Sequence, residues 1–371
     1  MEKHDVVIIG GGPSGATLAH FLKEKNIDSI VVERGTHFRD KTCAGALPKG
    51  IFNILPEKVR DNFSYVSYKK FRVFYKGNLA QESSFDEPFA FGVMRSEFDE
   101  ALRNDLDVRY EETFHNFEED KDHVIVKTSK NEYSAKFLVG ADGVGSRVSI
   151  LAGLNKKTKI ILAEEKEVPK KLNDESLNVY LGNNFLGYGW KFDKFNCTSV
   201  GAGSLKKYFR KGVSNSIDKE QAKVKTYPIS LWDGDNTLFH GREVLVGEAG
   251  SIVDPFCAAG IYHSILSSKL LSQVIYENLQ IGATNFDKYV ELLNKNIFEE
   301  FKYARILSSS FYPFLPILRS VVFRKHILDF IVESQNESGY LSYKRIFERF
   351  SSSKHFQTRF IRTVLKLTRV N

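Results

Sequence analysis

Residues 10–15 read Gly-Gly-Gly-Pro-Ser-Gly, a G-x-G-x-x-G loop fed by the short apolar run Val6-Val7-Ile8-Ile9. Glycine clusters make ordinary turns too, so the surroundings of this loop give it its meaning. An apolar set, Ala16, Leu18, Ala19, Phe21 and Leu22, follows at helical spacing, and Ser29-Ile30-Val31-Val32 then forms a β-branched run ending at Glu33. The order is strand over 5–9, turn, helix over 16–25, and strand over 29–33, a βαβ unit with an acid 23 residues after the first glycine. In that setting Gly10 permits the tight turn, Gly12 lets a pyrophosphate approach the backbone, and Gly15 lets the helix pack on the strand. The start of the helix after the loop then offers unpaired N–H groups and the positive end of its dipole to phosphate. Glu33 is placed to accept from ribose hydroxyls.

The chain has 371 residues, enough for two joined domains, and 27% charged and 42% hydrophobic residues suit a globular protein. The N-terminal residues lack the basic head, apolar stretch and cleavage site of a secretory signal. The longest apolar candidate for a membrane span, residues 311–323, is interrupted by Pro313, Pro316 and Arg319. Cys43, Cys197 and Cys257 are too scattered for a disulfide framework or a zinc site, and a reduced, cytoplasmic chain is expected. Residues 340–371 hold eight Lys and Arg against a single acid, Glu348, an excess equal to the net charge of +7. The basicity therefore belongs to the tail.

Along the chain, alternating stretches at 71–75 and 177–181 predict a half-solvated antiparallel sheet. Residues 95–103 predict a helix, 124–128 and 137–140 strands, and 243–277 a strand, loop and long helix. Gly201-Ala202-Gly203 reads as strand rather than as a second nucleotide loop. The expected organisation is α/β, α+β overall. A Rossmann-like dinucleotide domain would be built from residues 1–70, 93–160 and 240–285. An inserted antiparallel-sheet substrate domain would comprise 71–92 and 161–239, and a helical C-terminal region with a basic tail would span 286–371.

Four segments in order narrow the dinucleotide to FAD. Beside the first loop stand Val93-Met94-Arg95 with Phe98, Asp99 and Leu102, then Gly140-Ala141-Asp142-Gly143 with Ser146, then 245–266 with Gly247, Glu248, Pro255, Gly260 and Ile261. Together they resemble the FAD segments of the class A flavoprotein hydroxylases. Cys43-Ala44-Gly45-Ala46-Leu47-Pro48 and Gly187-Tyr188-Gly189-Trp190-Lys191-Phe192-Asp193 further resemble the flavin-side and cavity segments of the geranylgeranyl reductase family. Ala44 replaces a glycine of that pattern, Asp193 a proline, Glu248 an aspartate, and Ala258-Ala259-Gly260 a Gly-Glu-Gly. The resemblance spans residues 5–275.

The resemblance implies FAD held by Gly10, Gly12, Pro13, Ser14, Gly15, Glu33, Arg34, Cys43, Ala44, Arg95, Asp142, Gly143, Ser146, Gly247, Glu248, Pro255, Gly260 and Ile261. It implies reduction of carbon–carbon double bonds in an isoprenoid or other lipid-like substrate, with Cys43, Tyr188 and Trp190 as candidate catalytic residues. His263 reads as structural. A second nucleotide fold is not evident, so NAD(P)H would visit only transiently, and a donor protein is equally compatible. Two other readings remain: a flavin-dependent monooxygenase or halogenase, and an electron-relay flavoprotein without small-molecule chemistry. The segment 187–193 supplies one tryptophan and no proline of the halogenase pattern. Phe356, Phe360, Ile361, Val364 and Leu365 fall at helical spacing among cations, a basic amphipathic pattern that suits either an anionic inner-membrane surface or packing on the enzyme body. Nucleic acid is not expected, because no recognition motif accompanies the charge.

Overall fold

The computed structural model describes residues 1–38, 41–154, 158–182, 187–234, 236–322 and 325–352. The amphipathic segment at 356–365 therefore lies outside the described residues. No helix among the described residues is long and apolar enough to cross a membrane.

Eight strands form the first sheet, whose main path runs Phe239–His240, Glu243–Leu245, Glu132–Gly140, Glu2–Ile9, Ser29–Val32 and Val108–Arg109. Val124–Thr128 and Phe114–Glu119 pair off its side through Glu132–Gly140. The central strands are parallel, with Ile9 beside both Gly140 and Val32, and Gly140 beside Leu245. Their carboxyl ends thus lie together, at the edge where open parallel sheets bind ligands. Val6, Val7 and Ile8 are fully buried, as are Leu138 and Val139, which is why these strands read as unbroken apolar runs.

Helix Pro13–Lys23 begins inside the glycine loop, earlier than the expected Ala16, because Pro13 fits the first helical turn. It packs against helix Ile261–Ile281, whose Ser264, Ser267, Ser268 and Ser272 are all buried. These small residues let the helices approach closely enough for Ser268 Oγ–H to donate to the Ser14 carbonyl at 2.7 Å. Leu18 and Leu22 bury their side chains in the core of the first sheet, each contributing about 1.5–3 kcal/mol.

A second sheet of seven strands runs Lys225–Leu231, Lys159–Val168, Thr198–Leu205, Gly187–Asp193, Ser176–Leu181, Lys70–Tyr75 and Asn78–Ser84. Residues 201–203 lie within one of its strands. Ser176–Leu181 and Lys70–Tyr75 pair in parallel, not antiparallel as the alternation implied. They belong to separate excursions from the first sheet, and parallel neighbours need such a long crossover. Ala90–Val93, grouped by sequence with this sheet up to residue 92, pairs instead with Ala46–Pro48 and Tyr65–Tyr68 in a small third sheet.

Helices Asp287–Leu293, Glu299–Val322, Lys325–Ser338 and Tyr343–Ser352 complete the described chain. The described start of the basic tail is docked on the body. Lys344 Nζ pairs with Glu299 at 2.8 Å, and the Ser342 hydroxyl donates to Glu300 at 3.0 Å.

Candidate active site

The glycine loop has the geometry a diphosphate requires. Gly10 sits at φ +106°, where a Cβ would meet the Ala141 carbonyl oxygen at 2.5 Å; on Gly15 a Cβ would lie 1.9 Å from the Gly10 carbonyl oxygen. Gly12 forms the N-cap of helix Pro13–Lys23 in extended conformation, and no side chain caps that helix. Its first-turn N–H groups are therefore left to a ligand. Glu33 is buried and held by the Gly11 and Gly35 N–H groups, both at 2.8 Å, which fixes its carboxylate beside the loop. Arg34, the next residue, is exposed.

Two side chains in this region keep buried polar atoms without partners. Arg103 donates from Nη2 to the His37 carbonyl, but its Nε and Nη1 have no acceptor. A Cβ on Gly11 would lie 3.4 Å from Arg103 Cδ, so this cation lies against the glycine loop. Glu248 accepts at Oε2 from Tyr227 at 3.3 Å and pairs with Lys41 at 3.4 Å, whereas Oε1 is buried without a donor. Two unpartnered guanidinium nitrogens at the phosphate loop and an unpartnered carboxylate oxygen at the next strand end fit a ligand carrying phosphate and hydroxyl groups.

Gly247, at φ +61°, lies so near Ser14 that a Cβ would sit 2.7 Å from its hydroxyl, tying the third cofactor segment to the first. Asp142 spends its carboxylate locally, accepting from the Ser146 hydroxyl at 2.5 Å and the Arg147 N–H at 2.7 Å. Ser146 in turn caps helix Arg147–Leu151, and Gly143 faces Glu248. Asp142 and Ser146 thus shape the turn. Burial raises the Asp142 carboxyl above its ordinary range.

Pro255 is buried, and the loop after it is held by Asp254, which is fully buried. Asp254 Oδ1 accepts the N–H groups of Phe256 and Cys257, at 2.7 and 3.1 Å, and Oδ2 accepts the hydroxyls of Tyr340 and Tyr343, both at 2.6 Å. Ala258 occupies the left-handed region at φ +56°, where the family pattern has glycine. Gly260 and Ile261, both half-buried, then open helix Ile261–Ile281. His263 packs edge-on against Tyr340 and Phe301, and burial lowers its imidazole to about 4. Burial raises the Cys257 thiol to about 12.

One reductase-like segment reaches this loop through Tyr188, and the other lies near Tyr188. The Tyr188 hydroxyl donates to the Cys257 carbonyl at 2.6 Å, and Cys43 lies in the electrostatic surroundings of Tyr188. Burial pushes the Tyr188 phenol far above its ordinary value, so it stays neutral. Trp190 lies in the core with Tyr68, Phe89 and Phe192, its indole N–H donating to Ser199 at 2.9 Å. Half-buried Cys43 has its N–H on Glu165 at 2.7 Å, its carbonyl on Lys194 at 2.9 Å, and its sulfur in hydrogen-bonding reach of Arg95. Arg95 is itself held by Asp99 through two bonds of 3.0 and 2.9 Å. Ala44 packs against the core around Trp190.

Several of these residues escape sequence reasoning. Arg103 follows directly on the Arg95–Leu102 pattern, yet its role needs the fold to show that it is buried. Lys194, Glu165, Asp254, Tyr340 and Tyr343 carry no motif signal. Burial alone would discharge Lys194, but Glu165 and Glu167 beside it more than reverse this and keep it protonated.

Residues 3–226 match the model of the FAD binding domain, more than half of the chain. The chain belongs to that family. This flavoprotein is 28% identical over 396 residues to the chloroplastic geranylgeranyl diphosphate reductase of Arabidopsis thaliana, covering 93% of this chain and 81% of the relative. It is 27% identical over 330 residues to a digeranylgeranylglycerophospholipid reductase of Methanosarcina acetivorans, covering 79% and 80%. The solved structure of a geranylgeranyl bacteriochlorophyll reductase-like protein from Thermoplasma acidophilum shares its fold, with TM-score 0.78, 20% identity and 99% and 98% coverage. The protein is an FAD-dependent oxidoreductase related to the geranylgeranyl reductases.

Proposed function

We propose that this flavoprotein saturates carbon–carbon double bonds of an isoprenoid or other lipid-like substrate. Bound FAD supplies hydride chemistry; the residues described above hold the reactants and exclude water. The hydrogen bond from Tyr188 to the loop that opens helix Ile261–Ile281, with Cys43 in the electrostatic surroundings of Tyr188, carries the reading. The names of the two relatives support the substrate class.

Uncharged alkenes offer few polar handles, so positioning dominates their reduction. Tyr188, its proton committed to the Cys257 carbonyl, positions the loop. Cys43, half-buried beside Arg95, is the group we assign to hold the proton that accompanies hydride. Trp190 supports the strand from behind. NAD(P)H visiting transiently, or a donor protein, would reduce the flavin, and the basic tail would bring the enzyme to a lipid surface.

The test is anaerobic incubation of the reduced protein with a panel of prenyl lipids, followed by mass analysis. A product heavier by two hydrogens supports the proposal, and Cys43→Ala should lower kcat with KM little changed. No saturated product from any prenyl or acyl lipid, with the flavin fully reduced, would refute it.

A further inference from the structure

At the end of the first sheet away from the cofactor residues, three ligating side chains meet. Glu119 closes strand Phe114–Glu119, while His240 and Glu243 flank the turn between Phe239–His240 and Glu243–Leu245. Their ligand atoms all lie within 4.8 Å of one another. His240 Nδ1 is 3.9 Å from Glu119 Oε1 and 3.8 Å from Glu243 Oε2. Glu119 and His240 are exposed, but Glu243 is fully buried and neither of its carboxylate oxygens has a hydrogen-bond partner.

A fully buried carboxylate without a donor is rare and calls for a compensating positive charge or a proton. The turn is fitted to the cluster: Gly241 sits at φ +53°, and a Cβ there would lie 2.9 Å from Glu119 Oε1. Phe114–Glu119 reaches strand Glu132–Gly140 through Val124–Thr128, and Phe239–His240 reaches it through Glu243–Leu245, so the cluster draws its side chains from two branches of the same sheet.

We propose that Glu119, His240 and Glu243 bind a divalent first-row transition ion, with Zn²⁺ as the test case, at a site separate from the flavin. Two carboxylates and one imidazole match such an ion better than Mg²⁺ or Ca²⁺, which prefer all-oxygen sets. Metal–ligand bonds of about 2.1 Å place tetrahedral ligands roughly 3.4 Å apart, so small rotations of the exposed His240 and Glu119 close the site. The fourth position is left to water. Glu243 opens the strand whose far end leads to Gly247 and Glu248, so an ion here would brace the sheet that presents Glu248.

The experiment uses the full-length, FAD-loaded, tag-free protein, stripped with a chelator and titrated with ZnCl₂ by calorimetry. Zn²⁺ should bind at one equivalent and raise Tm by roughly 3 °C or more at saturating metal. His240→Ala, at an exposed position, and Glu243→Gln should each weaken that equivalent at least about tenfold while leaving the flavin spectrum unchanged. No stoichiometric uptake, or unchanged affinity in His240→Ala, overturns the proposal. Stability that responds to pH but not to Zn²⁺ would also overturn it, showing that Glu119 and Glu243 share a proton instead.

Discussion

Tyr340 and Tyr343 hold the loop after Asp254 through a single carboxylate oxygen, and deleting their hydroxyls tests that arrangement. Both donate to Asp254 Oδ2 at 2.6 Å, inside a region where Asp254 has no exposed surface. A buried hydrogen bond to a charged group contributes about 1.5–3 kcal/mol. Tyr343→Phe or Tyr340→Phe alone leaves Oδ2 with the other phenol, so each should cost about 1.5 kcal/mol. The double variant strands Oδ2 and adds the desolvation penalty of an unpaired acceptor, a further ~1–3 kcal/mol. Its loss should therefore exceed the sum of the single losses by at least about 1 kcal/mol. Urea unfolding followed by circular dichroism measures these differences, and flavin absorbance reports whether the loop still supports FAD. A double loss equal to or below the sum of the singles would refute the shared-acceptor reasoning.

Gly15→Val should yield protein with flavin content reduced roughly tenfold or more, read from the flavin's visible absorbance, since no rotamer relieves a Cβ 1.9 Å from the Gly10 oxygen. Glu248→Ala should weaken FAD binding by about 10–100-fold in an equilibrium titration, the equivalent of one charged hydrogen bond. Ala258→Gly should raise stability by roughly 0.5–1 kcal/mol in urea, because glycine relieves the left-handed conformation but costs some entropy. His263, lowered to about 4 by burial, refuses a proton that the unfolded chain accepts below about pH 6.5. Its contribution to stability should therefore fall by about 3 kcal/mol as pH drops from 6.5 to 4, and His263→Gln should flatten that part of the stability–pH profile.

The phosphate loop is legible in the sequence because its glycines answer to backbone demands: a positive φ at Gly10 and a close approach at Gly15 leave no other residue type. The acid at Glu33 is legible for a related reason, since its distance from the loop follows from one helix and one strand. The run Glu164-Glu165-Lys166 carries no motif, yet all three residues are buried within the second sheet. Their charges are satisfied by partners far along the chain: Glu164 by Gly212 and Ser214, Glu165 by Cys43, Lys194 and Ser199, and Lys166 by Asn215, Asp218 and Glu220. No local pattern encodes pairings of that separation. The same holds for Tyr340 and Tyr343, whose acceptor lies more than eighty residues away. The parallel pairing of Lys70–Tyr75 with Ser176–Leu181 is set by the path between them, which alternation cannot reveal.

If reduced flavin in this protein gives its electrons to a lipid double bond, oxygen is not needed for the flavin to turn over. Stopped-flow mixing of the photoreduced protein with prenyl lipids, in strict absence of oxygen, shows this without intermediary steps. Flavin absorbance should return with lipid alone, at a rate that rises with lipid concentration. Reoxidation by oxygen only, with an oxygenated or halogenated product, would contradict the reductase assignment and place the chain in monooxygenase or halogenase chemistry.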